Sequence, residues 1–119
     1  MLDYTLKCQR FNDMSDRDLV DAIIKGEEDA VICLLHHRLS KYFKHLSKTY
    51  TRLQYSADDI ANEMYIFLSM DNWKKLRLFK FKSPLVDWIM TVAYKYLQNE
   101  INKYYPLEHT DVLYCPNIL

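Results

Sequence analysis

Residues 83–103 read SPLVDWIMTVAYKYLQNEINK. Ser83 suits an N-cap, since its hydroxyl can accept from an orphan amide of the first turn. Pro84 suits the first helical position, where its missing N–H costs nothing. Leu85, Trp88, Ile89, Val92, Tyr96 and Ile101 then line one side of a helix that the spacing ends near Lys103, before Pro106. Just upstream, Trp73 to Lys82 (WKKLRLFKFK) fits neither the helical nor the strand period. Before that, Ser56-Ala57-Asp58-Asp59 reads as a capping box. It opens a helix through Ile60, Met64, Phe67 and Leu68 to about Met70, and a polar break follows at Asp71-Asn72.

Further toward the N-terminus, Val31, Leu35, Leu39, Tyr42, Leu46 and Tyr50 form an apolar stripe spaced by three or four. This predicts one long helix over about 28–52, with Glu27, Glu28 and Asp29 at its favourable end. Arg38, Lys41, His45, Lys48 and Arg52 form a basic stripe on another face. Ser15-Asp16-Arg17-Asp18 reads as a second capping box. Leu19, Val20, Ile23 and Ile24 follow it, and Gly26 serves as a left-handed cap. Residues 1–14 read as a loose arm and residues 106–119 as a linker or tail. The expected fold class is therefore all-α. A compact bundle of four helices spans residues 15–105, with a basic-aromatic loop between helices three and four. The expected core includes Leu35, Leu39, Leu46, Ile60, Met64, Phe67, Trp88, Ile89 and Val92.

The chain has 119 residues, half of them hydrophobic and 27% charged, which fits one globular domain. It has one glycine, Gly26. That excludes the dinucleotide fingerprint, the P-loop and the nucleophile elbow, each of which needs at least two. Cys8, Cys33 and Cys115 are odd in number and far apart in sequence, suggesting neither a disulfide framework nor a zinc knuckle. This composition fits a reducing compartment. No uncharged run exceeds eight residues, far short of a membrane span. A soluble cytoplasmic protein without membrane contact is expected.

The net charge is zero, yet the charges alternate in blocks. Residues 1–29 carry eight acids against four bases, and residues 30–55 carry five bases and no acid. Of the histidines, His36 and His37 project about 100° apart on a helix and cannot easily share a metal. Carboxylates such as Asp58 and Asp59 sit in a capping context, with no sign of an acid–base cleft. No catalytic residue, metal site or cofactor is expected. Asp59 and Glu63 share a helix face, with Asn62 beside them. That face is either a solvated cap or a dock for a basic partner helix. WKKLRLFKFK packs five bases and three aromatics into ten residues. It is either a basic loop with core aromatics or a grip on single-stranded nucleic acid, where cations meet phosphates and rings stack on bases.

The order of these elements resembles region 2 of the extracytoplasmic-function group of sigma-70-family RNA polymerase sigma factors. Asp18-Leu19-Val20, then Ile23 or Ile24, Gly26 and Ala30 are similar to the opening of that family. Ala57-Asp58-Asp59-Ile60-Ala61-Asn62-Glu63-Met64-Tyr65 resembles its A-E-D-(I/L)-x-Q-E-x-F helix. Phe81, Leu85, Trp88-Ile89, Val92 and Ala93 resemble its F…F-x-x-W-L-x-x-I-A pattern. The resemblance covers about Ser15–Lys103. It implies a non-enzymatic bacterial transcription initiation module. Asp59, Asn62 and Glu63 would bind core RNA polymerase at the β′ clamp helices. Trp73, Lys74, Lys75, Arg77, Phe79, Lys80 and Lys82, with Thr91, Lys95 and Asn99, would engage and help melt the promoter −10 element, chiefly its unpaired strand. An anti-sigma factor is a further partner the resemblance allows. The chain departs from the family at Lys95, Asn99 and Asn102, where Asn, Asp and Arg are usual, and at Asn62, where Gln is usual. The alternative is a small helical adaptor that binds polymerase or an anti-sigma factor without touching DNA.

Overall fold

Every regular element among residues 4–105, which the computed structural model describes with side chains from residue 7 onward, is helical. The elements are α1 (Tyr4–Asn12), α2 (Asp16–Ile24), α3 (Glu28–Ile32), a π segment (Cys33–Arg38), α4 (Ser40–Thr49), a 3-10 turn (Thr51–Leu53), α5 (Ala57–Arg77) and α6 (Leu85–Tyr104). The all-α class stands, but the described residues hold six α-helices rather than four. Two differences account for this. The expected loose arm contains α1, and the expected helix over 28–52 is divided. The tail 106–119, with His109 and Cys115, lies outside the described residues.

The division of the long helix has a geometric cause. Val31, Leu35, Leu39 and Phe43 are all buried and stand four apart. In a straight α-helix each such step overshoots a full turn by roughly 40°, so the stripe would drift off the core. The π segment turns less per residue because its bonds close one residue later. The Leu39 amide donates to the Leu34 carbonyl at 3.0 Å, the i→i−5 bond of such a turn. The stripe is thereby realigned, and it continues through Leu46 and Tyr50. Phe43, not the expected Tyr42, faces the core: Phe43 is fully buried, whereas Tyr42 is 39% exposed.

Turn and cap chemistry sets the other boundaries. Gly26 has φ 102° and ends α2 in a Schellman arrangement, with Glu27 N–H donating to Ala22 O and Gly26 N–H to Ile23 O. Ser15 Oγ accepts from Asp18 N at 3.2 Å, opening α2. At Ser56 both halves of a capping box form, Asp59 N to Ser56 Oγ (3.1 Å) and Ser56 N to Asp59 Oδ2 (2.9 Å). The start of α6 differs from expectation. Pro84 occupies the N-cap, and the Leu85 amide donates to Asp16 Oδ2 at 2.9 Å. The first turn of α6 is thus capped from α2, 69 positions earlier in the chain.

α5 packs along α4 and against α2 and the π segment. The core gathers Leu19, Ile23, Leu35, Leu39, Phe43, Ile60, Met64, Leu68, Leu76, Leu85, Ile89 and Leu97. Phe67, Trp88 and Val92, expected in the core, are only half-buried and pack against its edge. α1 is held by buried Cys8 and Phe11. Cys8 is disulfide-bonded to Cys33, with Cα atoms 5.4 Å apart. The cysteine spacing suggested no disulfide, because residues 25 apart meet only once α1 lies against the π segment. No helix among the described residues is long and apolar enough to cross a membrane.

Burial ranks the aromatic side chains. Phe43→Ala should cost about 3–5 kcal/mol in denaturant unfolding, as for an enclosed Phe, and Phe67→Ala and Trp88→Ala should each cost less. A larger loss at Trp88 than at Phe43 would contradict this core.

Candidate partner and nucleic-acid surfaces

The expected acidic contact, Asp59, Asn62 and Glu63, does not form a single free patch. Asp59 is exposed, but its carboxylate completes the capping box of α5. Glu63 is half-buried and accepts from Tyr96 Oη at 2.6 Å, tying α5 to α6. Beside this bond, Tyr55 Oη donates to Glu100 Oε1 at 3.3 Å. Asn62 is exposed on the other side of α5. There it lines an open groove between α3, the π segment and α5, together with Glu28, Ile32, His36, Asp58, Tyr65 and Ile66. His36 Nδ1 lies 3.4 Å from Asp58 Oδ1 across the groove. Sequence reading missed this pair, since 22 positions separate its members. The groove combines the acids Glu28 and Asp58 with exposed Ile66. Among the described residues, no three metal-ligating side chains converge.

The basic-aromatic stretch is not a plain loop. α5 breaks at its start, at the expected polar break: Asp71, Asn72 and Trp73 all adopt left-handed conformations, with φ of 55°, 58° and 60°. None is glycine, so each position stores strain of about 1 kcal/mol. Arg77 supports the turn by donating to Asn72 O at 2.9 Å and Asp71 O at 3.2 Å. Its guanidinium is therefore engaged in structure. Trp73 is half-buried, edge-on to Tyr65 at 5.7 Å between centroids. Phe79, expected among the DNA-contacting residues, is buried between Phe81 (4.7 Å) and Trp88 (4.8 Å). Phe81 is half-buried under the Arg17 guanidinium.

The other residues are placed differently. Lys74, Lys75, Lys80 and Lys82 are exposed. Lys75 Nζ sits 4.8 Å from the centre of the Phe67 ring. Lys75, Lys80, Lys82 and Ser83 rim a shallow pocket floored by Leu78, Phe79 and Trp88. Thr91, Lys95 and Asn99 are exposed on α6, at spacings that continue the Trp88 side of the helix. Thr91 Oγ1 donates back to Asp87 O, so its hydroxyl hydrogen is used within the helix. The structure thus brings Lys75, Phe79, Lys80 and Lys82 together with Trp88. Trp73 and Arg77 belong to the strained turn instead. Trp88, expected only in the core, is the added member of this surface.

The Tyr96–Glu63 bond has a measurable consequence. Burial, and then the adjacent Glu63 carboxylate, push the Tyr96 phenol well above its ordinary 10.0. Burial and Glu100 raise Tyr55 in the same direction. A raised folded value means the stabilisation is complete below the unfolded pKa and fades as pH climbs through the interval above it. Unfolding free energy should therefore fall above pH 10.0 as the unfolded phenol ionises, and Tyr96→Phe should make that fall shallower. Identical alkaline slopes in the two proteins would refute the linkage. Comparison with protein-family models, curated proteins and solved structures finds no match for this chain.

Proposed function

We propose that this chain is a non-enzymatic transcription module resembling region 2 of a sigma factor, acting in the cytoplasm. In this reading it docks on core RNA polymerase through the groove side of α5, at Asp58 and Asn62. It receives an unpaired base of the −10 region in the pocket over Phe79 and Trp88. The observation that carries the proposal is that pocket. An apolar aromatic floor inside a ring of lysines offers stacking to a base and charge to its flanking phosphates. Among the described residues Lys74, Lys80 and Lys82 form no ion pair, so their charge is available to phosphate.

The adaptor reading keeps one observation of its own. Trp73, Phe79 and Arg77, three of the residues assigned to DNA, are engaged inside the protein. A DNA grip must then rest on Lys74, Lys75, Lys80, Lys82, Trp88, Lys95 and Asn99, with Phe79 only backing Trp88 from beneath. On the polymerase side, reversing Asp59 and Glu63 also removes a cap and the Tyr96 bond, so that pair is a poor probe.

Two measurements test the proposal. Affinity for single-stranded −10-like DNA should fall with salt, and Lys75→Ala, Lys80→Ala and Lys82→Ala together should flatten the log–log slope by roughly 2, at about 0.7 per phosphate contact. A wild-type chain whose affinity for that strand does not depend on salt, alone or on core polymerase, favours the adaptor. Separately, Asp58→Lys with Asn62→Lys should weaken binding to core polymerase while leaving the unfolding midpoint nearly unchanged, because both side chains are exposed. Undiminished binding by that folded double variant would exclude the groove side of α5 as the dock.

A further inference from the structure

α1 is nine residues long, too short to hold as an isolated helix. Besides the disulfide, its described anchors are the buried Phe11 ring and two exposed ion pairs. These are Lys7 Nζ to Asp29 Oδ1 at 3.3 Å and Arg10 Nη2 to Glu27 Oε1 at 2.8 Å. Exposed pairs of this kind hold little. Among the described side chains the Cys8–Cys33 bond is therefore the one covalent restraint on α1, acting beside the buried Phe11 ring.

Its far end lies at a sensitive place. Cys33 is the first residue of the π segment that sets the register of the core stripe. Asp29 and Cys33, four apart, face α1. Glu28, Ile32 and His36, also four apart, form the wall of the groove facing α5. One helical wall thus carries α1 on one side and the groove on the adjacent side.

We propose that the Cys8–Cys33 disulfide is a redox latch. Oxidised, it clamps α1 to the π segment and steadies the groove wall. Reduced, it releases α1 and loosens that wall. The proposal rests on the functional reading in one respect: a transcription module works among reducing thiol pools, where a disulfide serves as a sensing or transient bond rather than a permanent staple.

The chemistry is thiol–disulfide exchange with a dithiol reductant. A thiolate of the reductant attacks one sulfur, breaks the S–S bond and forms a mixed disulfide, and its second thiolate then displaces the protein sulfur. Two electrons and two protons finish on Cys8 and Cys33 as thiols, and the reductant leaves as its own disulfide. Both cysteines are buried, so exchange waits for α1 to open. Loss of the latch is therefore coupled to the motion it controls.

The test uses the full chain, air-oxidised or treated with dithiothreitol. Alkylation of denatured monomer should trap one thiol, that of Cys115, in the oxidised protein and three in the reduced one. Hydrogen exchange should then be faster after reduction at the α1 amides, on the order of a hundredfold to several hundredfold for a lost crosslink of this span. The Leu39 amide, which closes the π turn, should also exchange faster. Cys8→Ala should match the reduced protein while keeping its helical circular dichroism. If Cys8→Ala does not fold, chemical reduction of the wild-type chain carries the same comparison.

Three trapped thiols in the air-oxidised protein, or exchange unaffected by redox state, would overturn the latch. In a parallel arm, core polymerase should bind the reduced chain several-fold more weakly than the oxidised one. Equal affinity would overturn the link to the groove. Absence of binding in both states would overturn the functional reading, with the latch still decided by the exchange data.

Discussion

The π turn at Cys33–Arg38 is the constraint on which the rest of this structure depends. Four buried side chains, Val31, Leu35, Leu39 and Phe43, stand at four-residue intervals, and a regular α-helix cannot aim them all at one core. The longer-range bond from Leu39 to Leu34 removes the drift. Without it Phe43, one of the largest enclosed side chains, would swing toward solvent, and α5 would lose part of the surface it packs on. The same segment receives the disulfide from α1 and presents His36 to Asp58. Core register, covalent tether and groove wall are therefore mechanically joined in six residues.

The second half of the molecule is held by polar contacts distant in sequence. Asp16 caps α6, Tyr96 bonds Glu63, Tyr55 bonds Glu100, and Tyr50 Oη donates to Gln98 Oε1 at 3.1 Å. These fix α6 in rotation as well as position, because a hydrogen bond is directional where apolar packing is not. The rotation decides the surface: with Tyr96 turned to α5, Thr91, Lys95 and Asn99 remain exposed.

The stretch between α5 and α6 divides its residues by role. Arg77 supports three left-handed positions, Trp73 leans on Tyr65, and Phe79 joins Trp88 as a floor. The lysines are left for solvent or for an anionic partner. A composition that reads as uniformly basic and aromatic therefore becomes a scaffold with a charged rim. Strain of this kind persists only where the surroundings hold it, and such positions cluster at functional surfaces.

Much of the helical architecture was legible in the sequence, since helix periodicity and caps are local. The starts of α2 and α5, the Gly26 terminus and six of the nine expected core residues follow from spacing and cap chemistry within a few residues. α1 was not legible, because a disulfide and one aromatic hold it rather than a periodic stripe. The π turn was hidden because its cause is the summed angular drift of a long stripe, visible only when the partner surface is in place. The candidate surfaces were half legible. Charge and aromatic content marked Lys74 to Lys82, but which rings point inward is a tertiary outcome, as Phe79 shows. Likewise Asp59, Asn62 and Glu63 were marked by their pattern. Only the approach of α6 on one side and of the π segment on the other decided that Glu63 would be bound internally and Asn62 left facing the groove. The sequence by itself determined where helices start and which side chains avoid water, because those choices depend on neighbours three or four residues away. The tertiary structure alone decided which polar groups remain free, because a hydrogen bond or disulfide between distant residues exists only when packing brings both ends together.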